Sequence, residues 1–431
     1  MENGTRIAPL RIIKSVTSAS DHDLRPRRFC YRPLLFGLMT VLCLGLARSE
    51  AAPVSNSASS ATKTQTRGYV ISYFTYAMYR DEDFDKVCPQ GWFPNYMEAF
   101  VAALPPDERT RLKKPENAAE LIKRFDTDGL VGPYGENVCA NPMAFSKDNR
   151  YPKTTKYSMQ GKVARGLNLD GIPGRVGAPG TCKHETFTSP EGKPGIDNQF
   201  FRALGCDRAY RGGTADGGDN VIFEEEYLLG GSQVQLIEIS GITDLRNDQV
   251  EVRVYSTQDA PRVGRNQRFV PNQTLRPDPR PQYTNVMHGR IVDGVLTTDP
   301  IDSLRLDNKR TNTTGIGVSP VHDRIWRDAR FQLTFNKDGT LKGLLGGYQR
   351  PEEILSTGRY NASGHARGVG GMCPMQYKAM MALADGYPDP KTGECTQVST
   401  AYDVEAVPAF IARSNKNKVA ESGASTVASN R

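Results

Sequence analysis

The chain has 431 residues, with 55 Lys and Arg against 48 Asp and Glu, a formal net charge of +7. Residues 1–50 hold 8 basic and 4 acidic side chains, so the remaining 47 against 44 carry only +3. No basic block interleaved with aromatics lies in that remainder, which argues against a nucleic-acid partner.

Residues 34–47, LLFGLMTVLCLGLA, form an uncharged apolar run behind Arg25, Arg27, Arg28 and Arg32, and Ser49, Ala51 and Ala52 follow it. This is the order of a secretory signal. As a helix the run reaches about 21 Å, short of the roughly 30 Å hydrocarbon core. The expectation is a cleaved signal over residues 1–52 and no stable membrane span afterwards; a retained anchor is the alternative. Residues 53–67, small and polar, read as a flexible linker.

Two of the eight cysteines, Cys30 and Cys43, lie in the leader. Cys88, Cys139, Cys182, Cys206, Cys373 and Cys395 remain. Neither C-x-x-C nor H-x-x-x-H occurs, so disulfides are favoured over zinc. Clustering suggests local bridges, Cys88–Cys139, Cys182–Cys206 and Cys373–Cys395. Export to the periplasm or beyond follows.

Residues 68–160 read as an α-containing, disulfide-linked region. PNYMEAFVAAL spaces Met97, Phe100, Val101 and Leu104 for one helical face, and PENAAELIKRF does the same with Leu121, Ile122 and Phe125. Residues 161–352 turn to strands. VEVRVYS alternates with period two, RIVDGVLT places Asp293-Gly294 between apolar pairs, FQLTFNKDGTLKGLL repeats the device at Asp338-Gly339, and SQVQLIEISGI adds a strand. The fold class expected is mainly β, an antiparallel β-sandwich of jelly-roll or lectin-like kind. Residues 353–413 add a closing helix, CPMQYKAMMALADG, with a disulfide loop, and 414–431 read as a disordered tail.

The blocks LNLDG (167–171), TCKHETFTSPEGKPGIDNQFFRALGC (181–206), IEISGITDLRNDQVEV (237–252) and ADGYPDPKTGECTQVSTAYDVEAVPAFI (384–411) resemble a set of exported bacterial proteins with no established activity. The resemblance implies a bacterial, extracytoplasmic setting and one continuous architecture. It implies no catalytic residue.

Candidate sites compete with blander roles. Asp170, Asp197, Asp216 and Asp219 lie beside Gly or Asn in loops, a composition that suits Asx turns first and a calcium site second. Asp126 and Asp128 in FDTDGLVGPYGEN fail the EF-hand pattern, since Gly comes fourth and Asn137 twelfth. Glu224-Glu225-Glu226, read as a strand, sends Glu225 to the face opposite its neighbours. With His184, Asp197 and Asp219 it makes a carbohydrate hydrolase conceivable. Arg324, Trp326 and Arg327 offer a grip on an anionic sugar, against the alternative of a core tryptophan. The motifs G-x-S-x-G, H-E-x-x-H, Gly-Lys-Ser/Thr and C-x-x-C-H are absent. The expected function is a non-enzymatic binding or structural protein of the bacterial envelope, with an envelope component or glycan as partner; a secreted carbohydrate-active hydrolase is the alternative.

Overall fold

Alternation of apolar and polar residues builds the wall of this molecule. In the strand Thr284–Val292, Met287 and Ile291 are buried while His288 and Arg290 face solvent. A computed structural model describes residues 64–94, 96–128, 157–171, 182, 184–211, 219–308, 322–359 and 373–413. All belong to one unit, Ala61–Arg431. The expected signal and tail lie outside the described residues.

The strands in chain order are β1 (Gln65–Tyr76), β2 (Phe187–Thr188), β3 (Pro194–Ile196), β4 (Gln235–Ile242), β5 (Asn247–Ser256), β6 (Gln273–Leu275), β7 (Thr284–Val292), β8 (Val295–Thr298), β9 (Leu304–Asn308), β10 (His322–Phe335), β11 (Leu341–Gln349), β12 (Gly386–Pro388) and β13 (Cys395–Ile411). Antiparallel pairing runs β1–β4–β5–β7–β8–β10–β11–β13. The strand pattern predicts two facing sheets; instead the sheet closes. The reason is β1, whose residues Gln65–Val70 pair with β4 and Tyr69–Tyr76 with β13. One strand long enough to serve two partners turns an open sheet into an eight-stranded, barrel-like ring. The short β6, β9 and β12 attach outside that ring.

The principal core takes side chains from all eight ring strands, including Phe74, Ile239, Val252, Ile291, Leu296, Phe331, Leu345 and Tyr402. Among the described residues no helix is long and apolar enough to cross a membrane.

Several local expectations hold. Helices occupy Tyr96–Ala103, Ala118–Asp128 and Cys373–Ala382. Asp293 and Gly294 both adopt positive φ, 48° and 79°, as a two-residue hairpin turn between β7 and β8 requires. Others are corrected. Glu224-Glu225-Glu226 lies on a helix, Asp219–Leu229, which ends at Gly230 and Gly231, the latter at φ 78°. Among the described residues the disulfides are long-range: Cys88–Cys206 and Cys182–Cys395. Cys139 lies outside the described residues, as does the side chain of Cys373. Sequence clustering misleads because the pairing partners meet through packing. The backbone N–H of Phe93 donates to the carbonyl of Cys206, docking the Cys88 turn against the end of the helix Gln199–Leu204.

Candidate functional site

Asp197 follows β3 and precedes Asn198, which caps the helix Gln199–Leu204 by accepting from the Phe201 N–H. A turn fixed on both sides holds its side chain inward, fully buried. Asp197 Oδ2 accepts from the backbone N–H of Leu169 at 2.6 Å and of Asp170 at 3.3 Å. Its Oδ1 lies 2.9 Å from His184 Nε2. The loop carrying Asp170 is held from the other side by Arg330, whose guanidinium donates to the carbonyls of Asn168 and Leu169.

His184 is oriented by Cys182. The His184 Nδ1 lies 2.9 Å from the Cys182 carbonyl, which only accepts, so Nδ1 carries hydrogen. Nε2 then faces a carboxylate, and a second proton on the ring, or a cation in its place, satisfies that contact. Burial opposes the charge, but the hydrogen bond to Asp197, the nearby Asp385 and the Cys182 carbonyl outweigh it and push the imidazole up to about 9.

Asp385 completes the cluster from a distant part of the chain. It is fully buried, its Oδ1 accepts from the Ser399 N–H at 2.7 Å, and its Oδ2 lies 3.7 Å from His184 Nε2. Burial drives its carboxyl up to about 7, against the pull of His184 and of the Ser399 N–H. Its carbonyl accepts from the Cys182 N–H at 2.9 Å, so the Cys182–Cys395 bridge and Asp385 brace one another. Tyr348, 2% exposed, sits among the same acids; burial first, then Asp385, Asp197 and Asp170, raise its phenol far above the ordinary range. Beside it, Tyr387 adopts φ 58° and donates its hydroxyl to Asp328, itself at φ 49°. Positive φ at a bulky aromatic residue is strained backbone, held here by that bond and by edge contact with the Tyr348 ring at 5.9 Å.

Among the sequence-predicted residues, Asp170, His184 and Asp197 converge, each offering a ligand atom within 4.8 Å of the others. Asp216 lies outside the described residues, and so does the side chain of Asp219. Glu225 is exposed on its helix and lines a different groove, with Tyr73 and Glu405. The proposed sugar grip is corrected: Trp326 is fully buried, edge-on to the stacked rings of Phe74 and Tyr402, and Arg324 is buried against Glu224 at 3.0 Å. Arg327 is half-buried on β10. Asp385 and Tyr348 were not singled out from the sequence. The Ala-Asp-Gly run around Asp385 reads as a helix stop, and its only other signal is the adjoining Tyr-Pro-Asp-Pro turn.

No family model matches this chain, and no curated protein or solved structure matches it either.

Proposed function

We propose that this is an exported protein of the bacterial envelope that works by binding, with a glycan as its partner. Export is supported by the leader pattern and by two bridges that tie the chain over separations of 118 and 213 residues, an economy suited to an oxidising compartment. The observation that carries the binding reading is a groove of about 610 Å³ against the closure of the barrel. Asn266, Arg268, Asn336, Lys342 and Glu405 line it beside Tyr73, supplying the amide, cation, carboxylate and ring types that engage sugar hydroxyls and faces. Asn266 and Arg268 belong to an exposed loop, and Asn336 to the β10–β11 turn.

The test is a glycan array and envelope-extract capture with the mature, oxidised protein. A bound glycan whose affinity falls about tenfold or more in the N266A/R268A double variant supports the proposal. Empty results from wild-type protein in both formats sink it. The hydrolase alternative has one geometric observation behind it: Asp385 meets the His184–Asp197 pair in one cluster, with both carboxyls fully buried. It requires polysaccharide turnover that vanishes in D385N and D197N.

A further inference from the structure

We infer that His184, Asp197 and Asp170, with Asp385 beside them, form a site for one divalent transition-metal ion of the zinc or manganese kind, distinct from the groove proposed for glycan. The ligand atoms of His184, Asp197 and Asp170 lie within 4.8 Å of one another, the span a single ion can bridge. The donors are aimed by their outer contacts. His184 commits Nδ1 to the Cys182 carbonyl and turns Nε2 toward the acids, the arrangement in which an imidazole ligates through one nitrogen while the backbone fixes the other. Asp197 commits Oδ2 to two backbone N–H groups and turns Oδ1 to the same point.

Asp385 supplies the independent observation. This carboxylate is fully buried, and its Oδ2 has no hydrogen-bond partner, yet that atom faces His184 Nε2 at 3.7 Å. The buried Tyr348 hydroxyl, near the same acids, also lacks a hydrogen-bond partner. Folded proteins rarely leave such oxygens without a donor or a cation. Donor chemistry selects the class. An imidazole nitrogen disfavours calcium and magnesium, which take oxygen, and Cys182 is engaged in its disulfide, so no thiolate biases the site toward copper(I). The three ligands come from separate stretches of chain, so one ion would pin together the loop 167–171, the Cys182 bridge and the start of the helix at Asn198, with Asp385 adjoining.

The mature, oxidised, tag-free protein is stripped with EDTA and titrated with ZnCl₂, MnCl₂ and CaCl₂, read by calorimetry and by thermal unfolding. One equivalent of Zn²⁺ or Mn²⁺ per chain and a raised Tm are expected, with Ca²⁺ failing to compete at equal concentration. D170N and H184Q are expected to lose about 10–100-fold in affinity. H184Q also disturbs the contact with Cys182; if its circular dichroism departs from wild type, D170N, on a partly exposed turn, decides alone. The inference is overturned by wild-type protein that takes up neither metal stoichiometrically, by full affinity in D170N, or by Ca²⁺ displacing the bound ion at equal concentration. Each outcome is independent of glycan binding, so the two proposals fail separately.

Discussion

Cys182 and Cys395, separated by 213 residues, are bonded at the point where His184 meets Asp385. The bridge carries His184 on one side and begins β13 on the other, so it ties the acid–imidazole cluster to the strand that closes the barrel. Structural integrity and the geometry of the candidate site therefore share one covalent link.

That link gives the first prediction. Peptide mapping of the non-reduced protein should recover Cys88–Cys206 and Cys182–Cys395 as cross-linked pairs. In the chain-entropy model a loop of this size stabilises by roughly 5 kcal/mol, less where a second bridge overlaps it. The C182S/C395S double variant should therefore lose about 3 kcal/mol or more in denaturant unfolding. Recovery of Cys182–Cys206 instead would dismantle the packing described here.

A second prediction concerns Arg324 and Glu224. Both are nearly excluded from water, with side-chain exposures of 5% and 7%, and meet at 3.0 Å. The guanidinium also lies 5.2 Å from the Phe74 ring centroid and 5.4 Å from those of Trp326 and Tyr402. Removing one partner strands a buried charge, which costs about 3–5 kcal/mol, whereas removing both together costs much less than the sum. E224Q, R324M and the double variant form the cycle, measured by urea unfolding. Additive losses would show that the pair is not coupled.

The contrast between hairpins and closure explains what the sequence made legible. Asp293-Gly294 announces its turn because the φ > 0 requirement is local, and two adjacent residues satisfy it. Closure depends on β1 meeting β13 from the other end of the chain, and no local pattern encodes that encounter. Disulfide partners follow the same logic. Glu224 was misplaced because three consecutive acids suit an edge strand as well as a helix, and only its tertiary partner Arg324 shows that it faces inward. The site was half legible. His184 and Asp197 stand thirteen residues apart in one conspicuous block, whereas Asp385 arrives through tertiary packing.

The acid limb of stability should depend on Asp259. Side-chain hydrogen bonding from Arg276, with the Arg276 backbone N–H at 2.7 Å, holds its carboxyl below the ordinary value of 3.8. A depressed folded-state pKa means that the carboxylate stabilises the fold above the unfolded pKa, near 3.8. That contribution disappears as pH falls through the lower folded value. D259N should flatten the loss of stability below about pH 4 and leave the profile above pH 6 parallel to wild type. Urea unfolding at a series of pH values reads the difference, and identical acid limbs in both proteins would refute it.

Gly343 tests the barrel wall itself. It pairs with Leu333 across β10 and β11, and a Cβ placed there would collide with the Gln332 carbonyl oxygen. The obstruction is backbone, so no rotamer change relieves it, and β11 would have to separate from β10 at a point where its far edge is already paired to β13. G343A should therefore cost about 3 kcal/mol or more, at the upper end for overpacking. Gly393, with open space around its Cβ position and φ 74°, is the control. G393A suffers only the conformational penalty of a positive φ, about 1–2 kcal/mol, with no collision. If G343A proves no worse than G393A in chemical unfolding, the β10–β11 register is not as drawn, and the ring that depends on it opens.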